Sequence, residues 1–251
     1  MSHKCEMLIE RGPSLSITVA YICVSRGQRT LEYARRFADT WKQFPPGYPC
    51  QLWVICNGGL PAPNIASLFD GLDARFIPRP NDGGKDISAY QQAAATLTGP
   101  DDFLLCLGES NYFHREGWLA MIAQARLDNG PGMYGPFATH NVRTHLHTTA
   151  FAIDPVFLRM YPPVLTNPER YQFEHGPGCL WHRLGVMGGR AWLVTWDGVW
   201  PPESWRKPQN IIWRDNQSNC LWYCNHCDHH RDADALNKFT WQRNADGPFR
   251  L

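Results

Sequence analysis

Short β-branched or apolar runs alternate with segments of helical periodicity, and this alternation constrains the fold more than any other feature. Ser16-Ile-Thr-Val-Ala-Tyr-Ile-Cys-Val24, Gln51-Leu-Trp-Val-Ile-Cys56, Ala74-Arg-Phe-Ile77 and Phe103-Leu-Leu-Cys-Leu107 have strand length, and turn residues close most of them. Between them, Leu31, Ala34, Phe37, Ala38 and Trp41 share one helical face, with Thr30 placed to cap that helix. A shorter helix over about Asn64 to Asp70 and one carrying Ile87, Tyr90, Ala94 and Leu97 complete the alternation. Trp118, Met121, Ile122 and Ala125 mark another helix, stopped at Asn129-Gly-Pro-Gly132. Strands separated by crossover helices predict an α/β, doubly wound, mostly parallel sheet with helices on both faces. Ligands of such sheets lie at the carboxyl ends of the strands, where Ser25-Arg26, Asn57-Gly58, Asp86 and Glu109 gather.

Composition narrows the class. With 43% hydrophobic and 19% charged residues in 251, the chain can bury a substantial core. A net charge of +1, from 24 basic and 23 acidic residues, argues against holding nucleic acid by bulk charge. No apolar run approaches the roughly 20 residues of a membrane span, and the charged start does not read as a signal peptide. A cytoplasmic location is the expectation. Nine cysteines without a secretory signal argue against a disulfide framework, and Cys23, Cys56 and Cys106 sit inside apolar runs as small hydrophobes.

Residues 1–13 read as a flexible polar arm, 14–200 as the main domain (halves 14–112 and 113–200), and 201–251 as a Trp/Cys/His-rich extension packed on it. Asp154-Pro155 is a helix start with proline at the first position. Leu180, Trp181 and Leu184 have helical spacing after Gly176-Pro177, so Glu174 reads as the carboxylate of a helix start. Cys220, Cys224, Cys227 and His229 could furnish three thiolates and an imidazole to zinc. On a helix, the three cysteines would share a face that also suits plain packing. Trp192 and Trp196 read as strand residues of the core, whereas Trp200 and Trp205, in a Pro-rich excursion, offer flat faces for a sugar or base.

The order of these pieces resembles the GT-A glycosyltransferases, in the style of inverting family 2. The resemblance spans about residues 16–200 and rests on Ile17–Val24, Val54-Ile-Cys-Asn-Gly-Gly59, Asn81–Tyr90, Phe103–Trp118 and Arg170–Gly176. It implies a nucleotide-sugar donor, UDP-linked by default, bound by Ser25, Arg26, Asn57, Lys85, Asp86, Glu109 and Ser110. Asp86 equally suits a helix N-cap. The family ends its fourth strand in Asp-x-Asp holding a divalent ion between the phosphates. Here the residues are Gly108-Glu109-Ser110. One carboxylate leaves Mg²⁺ or Mn²⁺ dependence open, with His226 or His229 as an added ligand. Without an ion, Arg79, Lys85, Arg143 and His147 are the cations available to offset the leaving charge.

The same resemblance makes Glu174 the base that deprotonates the acceptor hydroxyl. His175 could be the base itself, a metal ligand or a supporting partner. Arg143, His147, Trp200 and Trp205 are the acceptor-side candidates. The acceptor is a glycan hydroxyl or a hydroxymethylated base in phage-type DNA, flipped from its stack. Two rivals are carried: a transferase-like protein that binds donor without turnover, and a non-catalytic, zinc-stapled module for nucleic acid or carbohydrate.

Overall fold

A computed structural model describes residues 14–24, 28–80, 83–139, 145–205 and 214–224. The first half alternates as expected: β1 (Ser16–Val24), α1 (Gln28–Gln43), β2 (Cys50–Asn57), α2 (Pro63–Ala66) with a 3-10 turn at Ser67–Phe69, β3 (Ala74–Arg79), α3 (Lys85–Thr96) and β4 (Asp102–Leu107). Then come β5 (Asn111–Tyr112), α4 (Trp118–Asn129), β6 (Gly132–Gly135), β7 (Ala138–Thr139), β8 (His145–Leu146), β9 (Ala150–Ile153), α5 (Pro155–Met160), α6 (Asn167–His175) and α7 (Leu180–Val186). β10 (Arg190–Thr195), β11 (Gly198–Trp200) and β12 (Tyr223–Cys224) follow.

Eight strands form one sheet in the order β11-β10-β6-β9-β4-β1-β2-β3. β1 lies parallel between β2 and β4, and β3 continues the parallel edge beside β2. β9 runs against both β4 and β6, so β4, β6 and β10 all point the same way. The chain winds from β1 outward to β3, then returns across the sheet to β4. This reversal opens a crevice between the carboxyl ends of β1 and β4, the usual ligand position in open α/β sheets.

Alternation along β1 divides the core. Val19, Tyr21 and Cys23 face α1 and α4, with Phe37, Phe113 and Trp118, while Ala20 and Ile22 face Ile87 and Tyr90 of α3 and Phe157 of α5. The helical face expected from Leu31 to Trp41 is the buried face of α1, where Phe37 stacks on Tyr21 at 3.8 Å between ring centres. Thr30 does not cap α1, because the helix begins two residues earlier at Gln28. Asp154 precedes α5 as expected, but its carboxylate leaves the helix end uncapped. It instead accepts from Arg126 Nε at 2.9 Å and from the Gly132 amide at 2.7 Å, tying α4 to the start of β6.

Past residue 200 the described chain returns to the core. Trp205 and Trp222 are fully buried, Trp222 packing edge-on against Trp118 at 6.2 Å. β12 pairs antiparallel with β5, so Tyr223 and Cys224 lie beside Tyr112 and Asn111. No helix among the described residues is long and apolar enough to cross a membrane.

Candidate active site

The crevice at the β1–β4 reversal is a cleft of about 390 Å³ lined by Ile22 and Val24 of β1, Asn57 at the end of β2, Lys85 and Asp86 of α3, Gly108-Glu109-Ser110 after β4, Thr149 and Arg170. Of the donor-side residues expected from sequence, Asn57, Lys85, Asp86, Glu109 and Ser110 therefore meet around one opening. The other two, Ser25 and Arg26, lie outside the described residues, as do Arg143, His226, Cys227 and His229.

The floor at α3 is set by an unusual entry. Gly84 and Lys85 both adopt left-handed backbone conformations, at φ +70° and +49°. A β-carbon on Gly84 would collide with the Val164 carbonyl, so glycine is required by space as well as by φ. The turn is anchored from below by Arg79, which is 8% exposed. Its guanidinium donates to Asn57 Oδ1 at 2.8 Å, to the carbonyls of Lys85 and Gly83 at 2.9 Å each, and to Ser88 Oγ. The sequence offers Arg79 as a cation to offset the leaving charge. The structure gives it instead the task of holding β2, β3 and the α3 entry together.

Asp86 is not the N-cap of α3. Gly84 occupies that position, and Asp86 lies in the first helical turn, its Oδ1 accepting from the Ile87 amide at 3.1 Å. Its carboxylate forms a two-bond ion pair with Arg170 of α6: Nε to Oδ1 at 2.7 Å and a terminal nitrogen to Oδ2 at 3.1 Å. These bonds to Asp86 raise the Arg170 pKa above its ordinary value. In the sequence Arg170 stands only as part of a motif, and this role is missed there. A guanidinium four residues before Glu174 on a helix is the available signal, because i and i+4 share a face.

Opposite α3, the loop after β4 is fixed by backbone contacts. The Tyr21 hydroxyl donates to the Glu109 carbonyl at 3.0 Å, and the Asn111 amide group donates to the carbonyls of Gly108 and Thr149 at 3.0 and 3.1 Å. A β-carbon at residue 108 would stand 3.0 Å from the Thr149 carbonyl, tighter than such contacts normally allow. Ser110 is 2% exposed, with its Oγ 3.5 Å from Cys224 Sγ. One neighbour of Glu109 is thus crowded and the other turns toward Cys224. An ion of the Asp-x-Asp type would find a single carboxylate in this loop, and the other carboxylate lining the cleft, Asp86, is paired with Arg170.

Beside this cleft lies a second polar centre, reached along α6. The helix start expected at Glu174 is not there. Glu174 lies in the last turn of α6, which opens at Asn167 behind a Thr166–Glu169 capping box. The helix N-terminus therefore does nothing for its charge. Imidazoles do. His145 Nε2 lies 3.7 Å from Glu174 Oε1, and His175 Nε2 lies 3.4 Å from Oε2. Burial opposes ionisation of Glu174, but the adjacent His145 and the positive potential of His147 and His175 outweigh it. Its pKa lies well below the usual carboxylate range. Burial pushes the His175 pKa down, with Glu174 working against the shift. His147 shares a 2.7 Å hydrogen bond with the Thr149 hydroxyl, which joins this centre to the wall of the cleft.

Two other expectations are corrected. Trp205 is no acceptor platform. It is wholly buried, its Nε1 donating to the Trp200 carbonyl at 2.9 Å. Trp200 remains half-buried in β11, its indole nitrogen bonded to Thr195 Oγ1 at 3.1 Å. Cys220 and Cys224 do not sit on a helix. Cys220 pairs with Thr195 in an isolated bridge, Cys224 belongs to β12, and both are buried, with burial raising the Cys220 thiol pKa. A larger cleft of about 730 Å³, lined by Trp181, Val186, Trp192 and Pro202, lies where β10 begins. Because β10 runs with β4, this is the opposite end of the sheet from the polar cleft.

Among solved structures, an active-site mutant of LgtC, a glycosyltransferase, superposes over 91% of this chain and 95% of its own, with a TM-score of 0.50 at 11% identity. The fold is of the GT-A type. HddC from Yersinia pseudotuberculosis aligns with 58% of this chain and 80% of its own at a TM-score of 0.41 and 10% identity. No protein-family model and no curated sequence matches the chain.

Proposed function

We propose that this protein is an inverting glycosyltransferase that takes a sugar from a nucleotide sugar, with UDP as the default nucleotide, and passes it to an acceptor hydroxyl. One observation carries the reading. A cleft at the β1–β4 reversal of a GT-A-type sheet gathers Asn57, Lys85, Asp86, Glu109 and Arg170. A nucleoside diphosphate needs hydrogen-bond acceptors for its base and ribose and cationic groups near its phosphates. Asn57 and Asp86 supply the first, and Lys85 and Arg170 the second.

Inversion follows from a single displacement. The acceptor oxygen attacks the anomeric carbon as the bond to the leaving phosphate breaks, and the acceptor hydroxyl gives up its proton. Glu174 and His175 stand one helical turn beyond Arg170, and activation of that hydroxyl is the role given to them here. His147, beside the cleft wall, stays on the acceptor side, whether the acceptor is a glycan or a modified base; Trp200 does not, because β11 runs against β10 and carries it back toward the opposite end of the sheet.

Calorimetric titration with a panel of nucleotide sugars tests the proposal. Saturable binding of at least one of them, lost on Asp86→Ala, supports it. Absence of binding across the UDP-, GDP-, dTDP- and CMP-sugars, together with no release of nucleotide in the presence of glycan or hydroxymethylated DNA, refutes it.

A further inference from the structure

We propose that His145, Glu174 and His175 form a divalent-cation site at the end of α6. The identity of the ion site is independent of the donor reading, but its catalytic use rests on that reading.

Three observations converge. First, one ligand atom from each residue lies within 4.8 Å of the others, and these three are the only such group of His, Cys, Asp or Glu among the described residues. The carboxylate turns a different oxygen to each imidazole, at 3.7 and 3.4 Å. A tetrahedral ion about 2.0–2.1 Å from its ligands holds them roughly 3.4 Å apart, so ligand atoms lying within 4.8 Å of one another close on one ion by drawing together by no more than about 1.4 Å. Second, the ligands come from separate elements that are held firmly. His145 in β8 is 1% exposed, and the last turn of α6 is pinned by Phe173, which is fully buried against Tyr161. Third, the loop after β4 brings only one carboxylate, Glu109, which stands between the crowded Gly108 and Ser110, whose Oγ lies 3.5 Å from Cys224 Sγ.

Two imidazoles and one carboxylate suit Zn²⁺, Co²⁺, Fe²⁺ or Mn²⁺ and suit Mg²⁺ and Ca²⁺ poorly. Three protein ligands leave a coordination position for an exogenous oxygen, the pattern of catalytic rather than structural sites. An acceptor hydroxyl taking that position would be acidified by the ion, and its proton would pass to water. Glu174 then acts as a ligand, where the sequence suggested a free base.

The test uses full-length protein stripped with chelator and titrated with Co²⁺, without sugar nucleotide, followed by visible d–d absorption. One ion per chain with nitrogen–oxygen ligand bands is expected. Glu174→Gln and His175→Gln should each weaken binding at least 10-fold, since even an outer partner of a ligand is worth about 10–100-fold. Glu109→Ala should leave it unchanged. Circular dichroism checks that each variant folds, and either Gln variant carries the test if the other unfolds the chain. Three results overturn the proposal: no saturable band, affinity unmoved by both Gln variants, or a thiolate charge-transfer band that puts the ion on the cysteines. Nucleotide-sugar binding without cobalt binding removes the ion and spares the transferase reading. Cobalt binding without any nucleotide-sugar binding does the reverse.

Discussion

Replacing Asp86 with alanine separates a strut from a binding group. The carboxylate accepts two bonds from Arg170 and one from the Ile87 amide, and the side chains of the pair are 16% and 31% exposed. Fully exposed pairs are worth about 0–1 kcal/mol, and breaking a buried one costs about 3–5. At this partial exposure Arg170 can be rehydrated, which places the loss near about 1–2 kcal/mol. For a chain of this size each kcal/mol lowers Tm by about 2–4 °C, so a drop of about 2–8 °C is expected. If Asp86 also accepts a hydrogen bond from the base or ribose, losing a charged acceptor costs about 1.5–3 kcal/mol, a fall in donor affinity of about 10- to 150-fold. Calorimetry at a temperature well below the lowered Tm measures affinity free of unfolding, and Arg170→Ala and the double variant give the coupling between the two side chains. An Asp86→Ala protein with the lower Tm but an unchanged Kd would refute the donor role and leave only the strut between α3 and α6.

Glu174→Gln should cut turnover by about 10²-fold or more while donor Kd moves by less than about twofold; a folded variant with normal kcat would remove Glu174 from the chemistry. Gly84→Ala should destabilise by about 3 kcal/mol, because it combines a strained φ with overlap on the Val164 carbonyl; an unchanged urea midpoint would contradict the described α3 entry. Asp154→Ala leaves the Arg126 guanidinium and the Gly132 amide without their acceptor and should cost about 3 kcal/mol in chemical denaturation, with donor binding intact. Trp205→Ala should cost about 3–5 kcal/mol as a core cavity without altering acceptor KM in the folded fraction, and a selective rise in KM would restore the stacking role.

The half of the protein that obeys a simple period is readable from its residues. β1, β2 and β4 are apolar because both of their faces are covered, and α1 shows one clean stripe because only one face meets the sheet. Where the period fails, so does the reading. The sequence suggests that Glu174 opens the helix beginning near Leu180, because the nine residues of α6 are mostly polar and bury only Phe173 among them. No stripe announces a helix that ends at His175. Trp205 reads as exposed because prolines flank it, yet the chain turns there to insert the indole under β11. The ion pair of Asp86 with Arg170 and the meeting of His145 with Glu174 join residues far apart in sequence. Contacts of that kind depend on where the sheet reverses, which no local pattern contains.

The two-residue pairing of β12 with β5 makes the end of the described chain part of the cleft's support. All eight strands of the main sheet come before residue 201, since β11 ends at Trp200. The loop carrying Glu109 and Ser110 is nevertheless backed by Cys224, and β5, which follows it at once, has Tyr223 and Cys224 as its partners. One wall of the cleft is therefore backed by a residue 114 positions beyond the serine it supports. A chain cut just past Trp200 would keep every strand of the main sheet yet lose Leu221 and Trp222 from its core and the brace behind Ser110.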